Sequence, residues 1–180
     1  AEDLGLPKNC VQLIKNSNRE QVKKLIKMTK YVDVIVPRGG RSLVELVQNE
    51  ARVPVFAHLE GIVHIYVDEQ ADPSKTLDVI LNSKVRRVSI CGAVECLLIN
   101  KNFFKNNHLD FIPKLMDSGI EVRGDHLIQA EYGTNLASEE DWGREFLDNI
   151  IACKVVDNLP EAVLHIEKFG SNHTDCIITE

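Results

Sequence analysis

The chain has 180 residues, 44% of them hydrophobic, and 27 acidic against 21 basic side chains give it a net charge of −6. That length can bury a core as one domain or two small ones, and the negative balance excludes a general nucleic-acid surface, which needs clustered positive charge. No apolar run approaches the roughly 18–20 residues that span a bilayer and no signal-peptide pattern opens the chain, so the expectation is a cytoplasmic protein without a membrane segment. "VQLI" (11–14) reads as a strand, and Asn18, with Gln21 three residues on, caps a helix running to about Met28. "VDVIV" (32–36) is a strand ended by "PRGG" (37–40), with a helix over 41–50 behind it. "VPVFA" (53–57) and "IVHIYV" (62–67) are β-branched strands. Asp72-Pro73 opens a helix with an apolar stripe of Leu77, Ile80 and Leu81. "CLLI" (96–99) is a strand, 102–117 a helix stopping at Gly119, and "EVRG" (121–124) a strand. Residues 131–144, "EYGTNLASEEDWGR", read as a long polar loop. "ACKVV" (152–156) is a strand, Leu159, Ala162, Val163, Ile166 and Phe169 line one helix face, and "DCIIT" (175–179) closes as a strand. Strands alternating with helices define an α/β fold with a largely parallel sheet.

Five cysteines, at positions 10, 91, 96, 153 and 176, lack the spacing of a disulfide framework or a zinc site. They read as reduced thiols, and with six scattered histidines no metal site is expected. Cys91, in "RRVSICGAVECLLIN" (86–100), stands where a polar, basic segment turns into an apolar strand. Arg86 and Arg87 beside it would favour the thiolate if they folded over it, and Gly92 permits close approach of backbone or ligand. By pattern alone the choice between nucleophile and buried core cysteine stays open; Cys96, inside the apolar run, fits the core better. "PRGG" places Gly39 and Gly40 ahead of a helix N-terminus, where backbone N–H groups can face an anion, though an ordinary tight turn has the same sequence. No dinucleotide or phosphate-loop fingerprint occurs.

Four segments in order, "YVDVIVPRGGRSLVELV", "VPVFAHLEGIVHIYVDEQAD", "NSKVRRVSICGAVECLLIN" and "VVDNLPEAVLHIEKFGSNHTDCI", resemble the gamma-glutamyl phosphate reductases of the aldehyde dehydrogenase superfamily. The resemblance implies an aldehyde-dehydrogenase-like α/β fold: the end of a dinucleotide-binding domain over residues 1–61, followed by a three-layer α/β catalytic domain over 62–180, incomplete at its C-terminal side. It also implies the middle of an enzyme more than twice this length, consistent with a chain that opens at Ala1.

In that family the cysteine of the segment matching "SICGAVE" is the nucleophile, which points to Cys91; Cys96 stands where threonine is usual. Gly39 and Gly40 correspond to the turn near the cofactor pyrophosphate, and Glu145 in "REFLD" to a glutamate that holds the nicotinamide ribose. Arg86 and Arg87 are the candidates for binding the substrate's phosphate or carboxylate. The closing signature, an Ala-x-x-His-Ile helix into Gly-Ser-x-His-Thr-Asp, runs from Ala162 to Asp175; Phe169 replaces the favoured His or Tyr, and Val63 a common Cys. The implied activity is NADPH-dependent reduction of glutamyl 5-phosphate to glutamate 5-semialdehyde in proline biosynthesis, on a small-molecule substrate, with self-association into a homo-oligomer left open. Two alternatives stand beside it: an aldehyde dehydrogenase that hydrolyses its thioester, and a truncated domain without activity. Against the first, the resemblance puts Ala57 where hydrolysing members have a water-activating glutamate.

Overall fold

The computed structural model describes the backbone of residues 2–15, 18–57 and 60–180, and the side chains there except at residues 2, 41 and 107–110. The chain divides into two compact units, 1–59 and 60–180; the expected break, after residue 61, lies beside this junction.

The first unit is small. Helix α1 (Arg19–Leu25) starts at Asn18, whose side chain accepts from the Glu20 N–H at 3.0 Å, the capping expected of an asparagine. It ends at Leu25, and the turns after it carry the chain past Met28. Helix α2 (Arg41–Glu50) follows "PRGG" as expected, with Gly40 at its N-cap. Ile26, Val44, Val47 and Val53 form the buried contacts of this unit. Three expected strands do not form there. Residues 11–14 have no strand partner among the described residues and leave Val11 and Leu13 more than 80% exposed. Segments 32–36 and 53–57 meet only at a single parallel bridge, Ile35 to Val55. Two short β-branched runs with Val36 and Phe56 exposed lack the third strand or covering helix that stabilises a ladder.

The second unit is a six-stranded sheet in which every pair is parallel, in the order β4-β3-β5-β2-β1-β6. In chain order its elements are β1 (Val63–Val67), α3 (Pro73–Val85), β2 (Val94–Asn100), α4 (Lys101–Asp117), β3 (Glu121–Gly124), α5 (His126–Tyr132), β4 (Asn135–Leu136), β5 (Ile150–Val156), α6 (Leu159–Phe169) and β6 (Asp175–Ile178). Asp72, Asn100, Asp125 and Asn158 cap α3, α4, α5 and α6 through their side chains. Alternate residues of the central strands enter two separate cores. Ile65, Leu97, Ile99, Ile151 and Cys153 pack with Ile80 of α3, Phe103, Ile112 and Leu115 of α4 and Ile128 of α5. Tyr66, Cys96, Leu98, Ala152 and Val156 pack with Ala162 of α6 and Trp142. The result is helix, sheet, helix. Strands buried on both faces read as continuous apolar runs, which is why β2 stands out in the sequence.

Two expectations change here. Residues 131–144 are not one loop: α5 ends at Gly133 (φ +65°), β4 adds an edge strand, and Glu139–Gly143 form a 3-10 turn closed by a Ser138–Asp141 capping box. Arg123 holds Asp141 at 2.8 Å, and Trp142 is buried, so polarity there marks a network and not a solvated loop. On α6 the inward face is Ala162, His165, Ile166 and Phe169, while Leu159 and Val163 are 45% and 44% exposed. Among the described residues no helix is long and apolar enough to cross a membrane.

Candidate active site

Because every strand is parallel, the segments that enter β1, β2, β5 and β6 share one edge of the sheet, and they carry the chemistry-bearing residues of the second unit. Cys91 lies on the segment between α3 and β2. Two successive turns shape it, with Ile90 N–H donating to Arg87 O at 3.2 Å and Ala93 N–H to Ile90 O at 2.9 Å. Cys91 and Gly92 are exposed, whereas Ala93 and all of β2 are buried. The cysteine thus sits on the last turn before the core, held by a strand that cannot shift without disturbing the sheet.

Its position is fixed from behind by Gly61. A β-carbon at Gly61 would stand 2.9 Å from both the Cα and the Cβ of Cys91, and closer to the Cys91 carbonyl oxygen. Only glycine allows that approach. The Gly61 N–H donates to Glu145 Oε1 at 3.2 Å, so one glycine joins the Cys91 turn to the carboxylate expected to serve the cofactor. The next residue continues the lacing: Ile62 N–H donates to Ser171 Oγ at 3.0 Å, and His64 N–H to Asp175 Oδ1 at 3.1 Å. The Gly-Ser-x-His-Thr-Asp signature therefore tethers the entry of β1.

A buried ion pair closes the base of the Cys91 segment. Lys84 Nζ, in the last turn of α3, lies 2.6 Å from Glu95 Oε2, near the start of β2, with the side chains 0% and 1% exposed. Burial pushes Lys84 down and Glu95 up from their ordinary values, and the pairing opposes both shifts. The Phe146 and Leu147 amides also favour the charged carboxylate of Glu95, although Glu95 Oε1 has no hydrogen-bond partner among the described residues. The pair thereby fixes the Cys91 segment and, one residue from Glu145, the chain leading to β5.

Arg86 and Arg87 are exposed and, with Asn82, Ser83, Ile90 and Gly92, line a depression of about 340 Å³. Ile90 and Gly92 are the neighbours of Cys91 on either side. A β-carbon at Gly92 would meet nothing within 4 Å, so that side of the backbone is open to a ligand. In the first unit, Gly39 has φ +152°, a conformation suited to glycine, and Gly40 caps α2 without any side-chain hydrogen bond. A β-carbon at Gly40 also meets open space. A helix start with no capping side chain and open space beside its N-cap fits a phosphate group.

Sequence reasoning singled out Ser171 only as part of the closing signature and missed Gly61 and Lys84. Gly61 had a signal, a lone glycine immediately before an apolar strand. Lys84 had a weaker one, a single cation in a helix turn eleven residues from Glu95.

No family model matches the chain. A gamma-glutamyl phosphate reductase from Methylobacterium radiotolerans is 50% identical over 180 residues, 99% of this chain and 42% of that protein. The crystal structure of gamma-glutamyl phosphate reductase from Thermotoga maritima matches 97% of this chain and 42% of its own, with a TM-score of 0.90 and 38% identity. At the level of fold alone, an acetylating aldehyde dehydrogenase from Geobacillus thermoglucosidasius (TM-score 0.72, 21% identity, 99% of this chain and 48% of that one) is similar. So is an NADP-dependent glyceraldehyde-3-phosphate dehydrogenase from Bacillus halodurans, complexed with NADP (0.74, 17%, 99% and 46%). The parallel sheet thus has the fold of the aldehyde dehydrogenases. Within that fold, the chain is similar to gamma-glutamyl phosphate reductases along nearly its whole length. It spans 42% of the length of the curated relatives it matches.

Proposed function

We propose that this chain carries the thiol side of an enzyme that reduces glutamyl 5-phosphate to glutamate 5-semialdehyde, with release of phosphate and NADPH as reductant. The observation that carries the reading is the junction at Gly61, which packs against Cys91 and bonds Glu145 through the same residue. It holds a solvent-facing thiol on rigid backbone next to a carboxylate.

The Cys91 thiolate attacks the acyl carbonyl, the phosphate leaves with the C–O bonding pair, and a thioester remains on Sγ. The Cys91 backbone N–H is the candidate donor to the oxyanion. Arg86 and Arg87 offer the substrate's phosphate or carboxylate a bidentate cationic partner in the depression beside the turn. Gly39 and Gly40 would hold the pyrophosphate of the cofactor, and Glu145 its ribose. The nicotinamide supplies hydride when bound. Ala57 has no side chain able to take a proton from water, so nothing at that position drains the thioester to the free acid.

The test is semialdehyde oxidation with NADP+, in the chain completed to the length of its relatives, with and without phosphate or arsenate. The expected result is turnover that requires the anion and falls at least about 10⁴-fold in Cys91→Ser, the scale of losing a nucleophile. Equal rates without the anion would mean that water is activated and would move the reading to a hydrolytic aldehyde dehydrogenase. Full activity of Cys91→Ser would remove Cys91 as nucleophile.

A further inference from the structure

A second group of chemically capable residues lies in the core beneath α6, away from the Cys91 turn. His64 on β1 and Cys96 on β2 are paired across the parallel ladder. His165 of α6 descends onto the same face. All three are buried, at 0%, 0% and 5% exposure. One ligand atom from each lies within 4.8 Å of the others. We propose that His64, Cys96 and His165 form a binding site for a divalent cation of the zinc class, which pins α6 to the centre of the sheet. The proposal is independent of the reaction assigned to Cys91.

Three observations carry it. Cys96 Sγ and His165 Nε2 are 3.7 Å apart. A tetrahedral ion with Zn–S of about 2.3 Å and Zn–N of about 2.05 Å puts sulfur and nitrogen about 3.6 Å apart, so this edge is already formed. His64 is fully buried; Nδ1 has the Asp175 carboxylate 3.4 Å away, whereas Nε2 has no hydrogen-bond partner, an arrangement that costs about 1–3 kcal/mol when nothing compensates it. A thiol–imidazole hydrogen bond between Cys96 and His165 would leave His64 unsatisfied; a shared cation satisfies all three. Finally, the contact of Asp175 Oδ1 with His64 Nδ1 leaves Nε2 as the nitrogen to ligate. A carboxylate in that place is the usual orienting partner of a metal-bound imidazole.

The chemistry suits the binding step. Both rings lie in the core, and the neutral imidazole, with a lone pair available, is the form that ligates. The incoming ion replaces the Cys96 thiol proton: one S–M bond forms, one S–H bond breaks, and one proton leaves to solvent with no change of oxidation state. Entry has a route. His165 also lines an open depression of about 260 Å³ with Trp142, Phe169 and two ion pairs, Lys168–Glu139 and Lys154–Glu161. Linear spacing hid the site, because its ligands come from three elements that meet only in the fold.

The test uses chelator-treated protein titrated with Co²⁺ and Zn²⁺. Expected are the absorption bands of a tetrahedral cobalt–thiolate centre, one equivalent of Zn²⁺ bound with one proton released, and a change in Trp142 fluorescence, whose ring is 5.6 Å from that of His165. X-ray absorption of the zinc form should give one sulfur at about 2.3 Å, two nitrogens at about 2.0–2.1 Å and a water oxygen in the fourth position. Replacing the exposed thiols (Cys10, Cys91 and Cys176 to Ser) should leave these signals intact. Cys96→Thr should abolish the charge-transfer band and weaken zinc binding about 100-fold. Absence of a thiolate band in the unmodified protein, its loss in the triple variant, or unchanged affinity in Cys96→Thr would overturn the assignment.

Discussion

Removing one partner of the Lys84–Glu95 pair should destabilise the second unit far more than removing both. In Lys84→Met the carboxylate of Glu95 loses a cation at 2.6 Å and, at 1% exposure, gains no water. Breaking a buried pair in this way costs about 3–5 kcal/mol. For a chain of this size each kcal/mol lowers Tm by about 2–4 °C, so the expected loss is roughly 6–20 °C. The double variant Lys84→Met with Glu95→Gln removes both charges and keeps an acceptor for the Phe146 and Leu147 amides. It should recover about 2 kcal/mol or more relative to the sum of the singles, within the range of coupling between contacting residues. Urea unfolding of the parent, both singles and the double supplies the cycle, and hydrogen exchange over residues 86–93 reads the local effect. The Cys91 segment joins the two partners, so its amides should exchange faster in either single and regain protection in the double. Additivity of the two singles to within about 0.5 kcal/mol, or a loss below about 1 kcal/mol in Lys84→Met, would refute the claim that this pair anchors the Cys91 turn.

Gly61→Ala should cost about 1–3 kcal/mol, as overpacking does, and should displace the Cys91 turn, since the new methyl meets Cys91 backbone and not a flexible chain end; urea midpoints and the alkylation rate of Cys91 measure the two effects. Native alkylation followed by peptide mapping should label Cys10, Cys91 and Cys176 and spare Cys96 and Cys153, which are fully buried. Acid should weaken the chelator-treated protein from about pH 6.5 downward. His165, near 3 when folded, and His64, also lowered, take up protons only on unfolding, so their contribution is complete above the unfolded value near 6.5 and lost as pH falls toward the folded one. The slope should reach about 1.4 kcal/mol per pH unit for each ring, and His165→Leu should flatten it; Lys154 and Lys168 bear on the same ring, and Asp175 on His64.

What was legible in the sequence follows from which interactions are local. Asp72, Asn18 and Gly119 announced helix ends because capping is written within a few residues, and β2 was readable because a strand covered on both faces must be apolar throughout. The strands at 32–36 and 53–57 failed for the opposite reason: β-branched composition states a preference, but a ladder needs partners that no short window records. The same division holds at the site. Cys91 could be placed at a loop-to-core junction from its flanks, yet its role came from resemblance and not from pattern. Gly61, Lys84 and His165 act across 30, 11 and 69 residues respectively, on Cys91, Glu95 and Cys96. The polarity of 131–144 misled because a polar segment that satisfies itself, through the Ser138–Asp141 box and Arg123, looks in sequence like one that is solvated.

These long-range contacts share a logic that bears on mechanism. Cys91, Gly61, Glu145 and Ser171 all lie on segments entering parallel strands, so each is one or a few residues from a position the sheet fixes. A thiol placed this way needs no movement of its own to meet a substrate, and its freedom is removed at folding and not at binding. The glycine contact and the buried ion pair approach the same turn from opposite ends, one behind the Cys91 backbone and one at the base of the segment. If rigidity of the turn is what serves the reaction, loosening either should lower kcat more than it raises KM for the acyl phosphate, whereas changes to the side chains of Arg86 or Arg87, which line the depression beside the turn, should act chiefly on KM.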